Sequence, residues 1–544
     1  MTNELAEVVE GSTRGGLFIF LGTITSTAIL AITSIIIARF LGPEFYGQYS
    51  LSVFLSQFLF LFSDFGMNQG LIKFATDLRM KGDLKTLRKI VQFSIVLRIF
   101  IGAAVSLVVF YLATYFSLII GRSDISSYIQ LSSLMIVFQA IHSIIVSAFI
   151  GLDKAEYNAL ANIILSLTRF VASVYLILSG FKIVGAIMGN FIGYAAASVM
   201  GALILFSKCG LIGSHLKSGS AFNSSGNIKD LVRFSMPLYT SILLTGFLPL
   251  CQNIMLAIFT SDVEIGNFKA ATNFTTAISI IFASVTLICL QAFSKINSLR
   301  KEDKVADLFA MISKYTCLLV APIVTLIFVF SKETITILYG PLYQSAHIHL
   351  SLLCASYLLI PLGYLTLSSL FNGFGETNIT LKLTVINFLL FTLLGLPLTI
   401  LCGTVGMIIA FFSSNVISTF FARLFAEKKF KIKLKITAPL MGTYLVAAFS
   451  SAPLLLFHPI FSSSILRIFA GISVYFLVYL TLIPSIKVVN RTELKVIEGA
   501  LYKSDLLAFI TKPIITYEEN ILNVNAVVPQ YLRRKFNLAK LFRS

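Results

Sequence analysis

ARFLGPEFYGQYSL, residues 38–51, has a partial copy later in the chain, AIFTSDVEIGNFKA, residues 257–270. Ala38, Phe40, Gly47 and Tyr49 align with Ala257, Phe259, Gly266 and Phe268 at one offset of 219 residues. Both stretches follow long apolar runs, GGLFIFLGTITSTAILAITSIII (15–37) and SILLTGFLPLCQNIMLAIF (241–259). Each run is long enough to cross a roughly 30 Å hydrocarbon core as a helix.

Composition extends that reading to the whole chain. Of 544 residues, 57% are hydrophobic and 12% charged, half the charged share of an ordinary soluble domain. The runs are apolar on both faces, which disfavours a transmembrane β-barrel with its alternating pattern. The sequence predicts an all-α polytopic membrane protein with fourteen spans. The first span is read as a retained helix, because MTNELAEVVEGSTR before it lacks the basic region of a signal peptide.

Loop charge gives an independent check on the span count. KFATDLRMKGDLKTLRK, GSHLKSGSAFNSSGNIKD, SKINSLRKEDK and AEKKFKIKLK fall on one side, with the C-terminal tail. LGPEFYGQ, GRSDISS, TSDVEIG and CGT fall on the other, with one arginine between them. Both termini are expected to be cytoplasmic. Most of the net charge of +18 is then assigned to the cytoplasmic face and anionic headgroups, and nucleic acid is not an expected partner.

Other matches recur at nearly the same spacing. Leu78 and Arg79 match Leu299 and Arg300 at 221, and Ser147, Phe149 and Gly151 match Ser369, Phe371 and Gly373 at 222. VGAIMGNF (184–191) matches VGMIIAFF (405–412) at 221. The expected organisation is a six-helix lobe over 1–208, a cytoplasmic linker over 209–228 and a second six-helix lobe over 229–427. Two additional helices over 428–484 and an amphipathic basic tail over 485–544 follow. An even number of spans per lobe orients both alike, related by a pseudo-two-fold along the membrane normal, with a substrate path between them.

ARFLGPEFYGQYSL, RFSMPLYTS (233–241), VEIGNFKAATNF (263–274), ITILYGPLYQSA (335–346), SLFNGFGETN (369–378) and INFLLFTLLGLPLTILCGTVGMIIA (386–410) together resemble the Wzx-type polysaccharide flippases. These belong to the multidrug/oligosaccharidyl-lipid/polysaccharide flippase superfamily. The chain departs from the family where Gln252-Asn253 replaces a common acidic residue and Ala292-Phe293-Ser294 a common proline. The resemblance implies alternating-access flipping of a polyprenyl-(di)phosphate-linked oligosaccharide to the outer leaflet of the plasma membrane. It implies no enzyme activity and no cofactor. The transport unit is expected to be a single chain, with glycan-assembly proteins as candidate partners.

Ionisable side chains within a span are costly and usually face an interior cavity. Here they are Asp64, Arg98, His142, Arg169, Lys269 and Lys314. Arg169, Arg98, Lys269 and Lys314 are candidates for the substrate phosphate, which suits arginine's planar fork. Snorkelling to the surface is the competing reading for the last three. Asp64 and His142 are candidates for ion coupling; Asp64 and Arg98 equally suit mutual neutralisation. Gln139, Asn190, Gln252 and Asn253 are candidate glycan contacts, as are Asn68, Gln69, Asn387 and Asn415, with interhelical hydrogen bonding as the alternative. Gly66, Gly185, Pro237, Pro322, Pro361 and Pro397 are candidate points of helix loosening. The interior prolines are the better hinges, because Pro237 lies in the first turns of its helix.

A multidrug exporter of the same superfamily is the alternative function. It calls for acidic cavity residues, and Asp64 is the single acid well inside a span. A membrane glycosyltransferase calls for acids in a large outer loop, whereas Glu44, Asp124, Asp262 and Glu264 read as scattered. There is no P-loop motif, no C-x-x-C and no H-E-x-x-H. His347 and His349 read as surface groups at a helix end, and no metal site is expected. In the tail, TELKVIEGALYKSDLLAFI (492–510) suits an amphipathic helix and VVPQYLRRKFNLAKLF (527–542) a basic membrane-surface or docking segment.

Overall fold

The structure, a computed structural model, describes residues 2–208, 246–299, 304–364, 366–430, 438–456, 463–486 and 512–523, with a few isolated positions between. The expected linker and both singled-out tail segments lie outside the described residues, apart from positions 494 and 498. Every described element is helical. In order they are α1 (Thr2–Phe60), α2 (Met67–Met80), α3 (Leu84–Ile119), α4 (Ser126–Ser133), α5 (Met135–Gly151), α6 (Ala155–Leu176) and α7 (Lys182–Lys208). Then come α8 (Gly246–Phe259), α9 (Asp262–Ser298), α10 (Val305–Tyr339), α11 (Ala346–Ala355), α12 (Thr366–Gly373) and α13 (Thr377–Phe430). α14 (Ala438–Ser451), α15 (Ser464–Ser485) and α16 (512–523) complete the set.

Among the described residues seven helical stretches are long and apolar enough to cross a membrane, or eight if the bent pair around α11 and α12 is one crossing. Phe18–Ser63, Ala155–Lys208 and Thr377–Phe430 run to 46, 54 and 54 residues, where about 20 suffice for one crossing. Each is broken at a glycine with positive φ: Gly42 (73°), Gly180 (93°) and Gly403 (57°). Gly42 ends one leg of α1 and Pro43 opens the next, since glycine accepts a left-handed helix end and proline the first helical position. The two legs of α13 are joined across its break by Asn387 Nδ2 donating to Asn415 Oδ1 at 2.9 Å. That pair makes an interhelical bond.

The repeated residues hold equivalent places. Gly185 packs against Leu176 and Gly406 against Leu398, where the returning helix meets the one before it. Gly151 rests on α2 at Ile72 and Ala75, and Gly373 rests on α9 at Leu290 and Phe293. Asp153 (φ 56°) and Gly375 (φ 76°) take the same left-handed turn at an offset of 222. Lys182 (φ 46°, ψ −125°) and Gly403 (φ 57°, ψ −137°) share a conformation at an offset of 221.

The chain divides into two compact units, Met1–Ile278 with Leu338–His349 and Leu390–Ala410, and Ser279–Ile337 with Leu350–Leu389 and Phe411–Ser544. In the first, α2, α3 and α5 enclose a core around Leu71, Val91, Ile144 and Phe149. In the second, Phe293, Phe309, Leu370 and Phe371 form one core. α14 and α15 build another against α10, with Tyr475 stacked on Tyr479 and Tyr479 donating to the Leu318 carbonyl at 3.0 Å. Arg467 of α15 and Glu333 of α10 form an ion pair at 3.0 Å. α16 joins this core through buried Ile515, and its Tyr517 hydroxyl lies 2.8 Å from that of Thr481.

Of the expected hinges, Gly66 and Pro361 lie at breaks. Gly66 (φ 72°) follows Phe65 (φ 44°) where α1 gives way to α2, and Pro361 lies in a 3-10 segment ending at Gly363 (φ 102°). Pro322 and Pro397 are inside helices whose dihedral breaks occur at Phe330 and Gly403 instead.

Candidate functional site

Arg169 lies within α6, whose backbone is pressed on α7. A Cβ on Gly193 would stand 2.8 Å from Arg169 Cβ and 3.2 Å from its Cα, so a glycine is needed for this approach. Arg169 Nη2 donates to the Tyr49 hydroxyl at 3.4 Å, and Asn190 Nδ2 donates to the same oxygen at 2.8 Å. Tyr49 stacks on Tyr46, whose hydroxyl meets Ser34 Oγ at 2.8 Å and the Asn273 amide. Tyr194, next to Gly193 on α7, packs edge-on against His142. His142 Nε2 lies 3.4 Å from Asn162 Oδ1. One layer thus assembles Arg169, Asn190 and His142 with tyrosines 46, 49 and 194.

The guanidinium is largely uncommitted. Arginine has five N–H donors, yet among the described residues Arg169 makes one hydrogen bond, has no carboxylate partner, and its buried Nε is unpaired. Lys269 is similar. Its Nζ lies 5.1 Å from the centre of the Phe54 ring on the same leg of α1 as Tyr49. Asn253 donates to the Pro249 carbonyl at 2.7 Å and lines a small apolar cavity beside Phe54, its Oδ1 unpaired. Gln139 is half-buried with an unpaired Oε1, and Gln252 is half-buried on α8.

Arg98 is the opposite case. It is fully buried and 3.2 Å from Asp64 Oδ1, and it donates to Ser143 Oγ at 3.0 Å and Ser63 Oγ at 3.2 Å and to the Ser63 carbonyl. Its guanidinium sits 5.4 Å from the Phe60 ring centre. The break at Asp64–Gly66 frees backbone groups, and Arg98 satisfies one of them. The structure brings Asp64 and Arg98 together as an ion pair. Lys314 is buried in the second compact unit.

The repeated motif has its own structural role. A Cβ on Gly47 would collide with the Asp262 carbonyl, and one on Gly266 with the Pro43 carbonyl; Pro43 and Asp262 are themselves 219 apart. The two copies thus pack on each other through the same glycine, reciprocally. Arg122 donates to the carbonyl of Ala257 at 3.0 Å, while Tyr343 donates to that of Ala38 at 2.6 Å. Donors and acceptors are again repeat partners, at 221 and 219. Such reciprocity is what a two-fold axis produces.

Two expectations are corrected here. Asp124 and Asp262 are not scattered: Gln48 Nε2 bridges them at 3.2 and 3.1 Å, and Arg122 Nη1 binds Asp262 at 2.5 Å. His349 is not a surface group, being 1% exposed with Nε2 3.4 Å from Glu264 Oε2. α11 begins at Ala346 and turns position 349 inward, three residues on, which hydropathy alone does not show. Tyr49, Tyr46, Tyr194 and Arg122 were not singled out as site residues. The signal available for Arg122 was its 221-residue spacing from Tyr343.

Residues 12–296, just over half the chain, match the family of polysaccharide biosynthesis proteins. The chain belongs to that family. An uncharacterized membrane protein of Methanocaldococcus jannaschii is 24% identical over 284 residues, covering 51% of this chain and 54% of that protein. The chain thus matches about half the length of this relative. The fold resembles lipid II flippase MurJ in an inward closed conformation, with a TM-score of 0.66, 16% identity and coverage of 86% and 98% of the two chains. It also resembles an inward-facing multidrug resistance MATE transporter, at 0.65 and 16% over 74% and 94%. A superfamily transporter from Pyrococcus furiosus gives 0.53 and 16% over 77% and 96%. This polysaccharide biosynthesis family member is therefore a multi-pass helical membrane protein with the fold of flippases and transporters.

Proposed function

We propose that the chain is an alternating-access flippase that carries a polyprenyl-(di)phosphate-linked oligosaccharide from the cytoplasmic to the outer leaflet of the plasma membrane. The observation that carries this reading is Arg169, a guanidinium inside a span whose donors are mostly unspent and which faces tyrosine and asparagine rather than a carboxylate. A phosphate takes up such donors in pairs. Lys269, held by one ring, supplies a second cation. Asn190, Gln139, Gln252 and Asn253 offer glycan contacts, and His142 a coupling group.

Fourteen crossings, with both termini cytoplasmic and lobes over 1–208 and 229–427, complete the proposal. The glycine breaks at 42, 180 and 403 support the short outer turns this topology needs. The drug-exporter alternative loses its acid, because Asp64 is engaged by Arg98.

The test is flipping of a fluorescent short-chain polyprenyl-diphosphate sugar in proteoliposomes. Wild type flips it, and Arg169→Ala loses at least tenfold in rate while its melting temperature is retained. Equal rates would remove Arg169 from the site. Export of a cationic dye without lipid flipping would establish the exporter instead.

A further inference from the structure

Tyr46, Gly47, Gln48 and Tyr49 fill one turn of α1, and that turn touches two places at once. On one side, the Tyr49 hydroxyl oxygen accepts from Arg169 Nη2 at 3.4 Å and from Asn190 Nδ2 at 2.8 Å. On the other, the Gly47 backbone rests on the Asp262 carbonyl, and Gln48 Nε2 donates to Asp124 at 3.2 Å and to Asp262 at 3.1 Å. Tyr46 stacks on Tyr49 and accepts from the Asn273 amide, which gives the turn a second hold on α9. A helical turn is tied by its own backbone bonds and moves as one body. Whatever holds or frees Tyr49 therefore acts on Gly47 and Gln48.

The two sides are held in ways that allow one to release the other. At 3.4 Å the Arg169 bond lies beyond the usual N–H···O range of about 2.7–3.2 Å. A phosphate oxygen offers the same guanidinium a shorter, charge-assisted bond of roughly twice the strength. An arriving diphosphate thus takes Arg169 from Tyr49 at little cost. At the other end, Gln48 stands between the Asp124 and Asp262 carboxylates. Among the described residues the ion pair there joins Arg122 to Asp262, at 2.5 Å. Drawing the Gln48 amide aside leaves two like charges facing each other with no donor between them, which is unfavourable. A small shift of the turn is enough to weaken the contact between the repeats.

We propose that Tyr49 is a positioning residue that couples occupancy of Arg169 to this contact. With Arg169 on Tyr49, the turn keeps Gly47 and Gln48 against Asp262. With Arg169 drawn to a diphosphate, the turn is released and the two copies of the motif part. The inference rests on the phosphate reading of Arg169 and adds how binding there is passed on.

The experiment uses the full chain in lipid nanodiscs with cysteines 209, 251 and 402 replaced by serine, the remaining cysteines being buried. Spin labels are placed at Glu44→Cys and Val263→Cys, exposed repeat partners 219 residues apart beside Pro43 and Asp262. Geranyl diphosphate is the ligand, geraniol the uncharged control, and calorimetry reports binding. In the wild-type background, geranyl diphosphate is expected to raise the ratio of separated to close label pairs about fivefold, with no change from geraniol.

Tyr49→Phe keeps the ring stack and removes the hydroxyl. It is expected to bind the diphosphate at least as tightly as wild type, since Arg169 no longer has to leave Tyr49. The ligand-driven rise should nonetheless fall below about twofold, and the maximal rate of flipping should drop about threefold. Adding Gln48→Ala, which loosens the contact from its own side, is expected to recover that rate; damage to the fold would not be repaired this way. Equal ligand-driven opening in wild type and Tyr49→Phe overturns the proposal. So does loss of diphosphate binding in Tyr49→Phe, which would place Tyr49 in the binding site itself. Binding without opening in wild type also overturns it and leaves the flippase reading standing. Absence of diphosphate binding in wild type overturns both.

Discussion

Arg98 and Arg169 are the same residue type inside two helices of the first compact unit, and their surroundings differ. Arg98 has a carboxylate, two hydroxyls and a freed carbonyl, so removing it strands a buried Asp64. Loss of one partner of a buried pair costs about 3–5 kcal/mol. Arg98→Ala should therefore lower the melting temperature sharply, and Asp64→Asn added to it should recover part of the loss; no recovery would dissociate the pair. Glu518 sits on α16, outside the spans, and burial pushes its carboxyl up from 4.5 to about 7. A raised acid favours docking in its protonated form. That contribution is complete below about 4.5 and is lost as pH rises through about 7. Proteolysis of α16 should accelerate as pH rises from about 4.5 to about 7 and level off above, and Glu518→Gln should flatten the profile.

At the scale of the element, the breaks divide into those the sequence announces and those it does not. Gly42-Pro43 is a legible helix end and start. Lys182 is not, because it adopts the same backbone as Gly403, a conformation suited to glycine. A lysine held there stores roughly 1–3 kcal/mol, offset in part by its contact with the Phe45 ring at 5.1 Å. Lys182→Gly should stabilise the protein by about 1 kcal/mol, and Gly403→Lys should destabilise it by a similar amount. Thermal unfolding of both variants checks the sign. The break at Asp64–Gly66 shows the same limit. Gly66 marks a weak point, but nothing in the local sequence announces φ 44° at Phe65.

In the whole molecule, the repeated motif is where the two copies meet. Gly47 and Gly266 permit backbone contact, and Arg122, Asp262, Gln48 and Asp124 tie it electrostatically. If a path must open through this face, joining Gln48→Cys to Asp262→Cys by oxidation should slow flipping at least tenfold. Reduction should then restore it. Unimpaired flipping by the crosslinked protein would show that this contact does not open. The pairing itself was not legible: the glycines could be aligned, but not seen to touch.

Hydropathy and internal repetition are local or periodic properties, so the chain alone determined an all-helical, membrane-crossing protein and marked residues that repeat at a constant spacing. It also marked Arg169, because a charge near the centre of an apolar run stands out in one dimension. Which cation finds a carboxylate and which is left free was decided by tertiary structure alone. So were the burial of His349 and the reach of Arg122 to Ala257. Those partners come from separate helices, tens to hundreds of residues apart, and their meeting depends on packing that no single segment encodes.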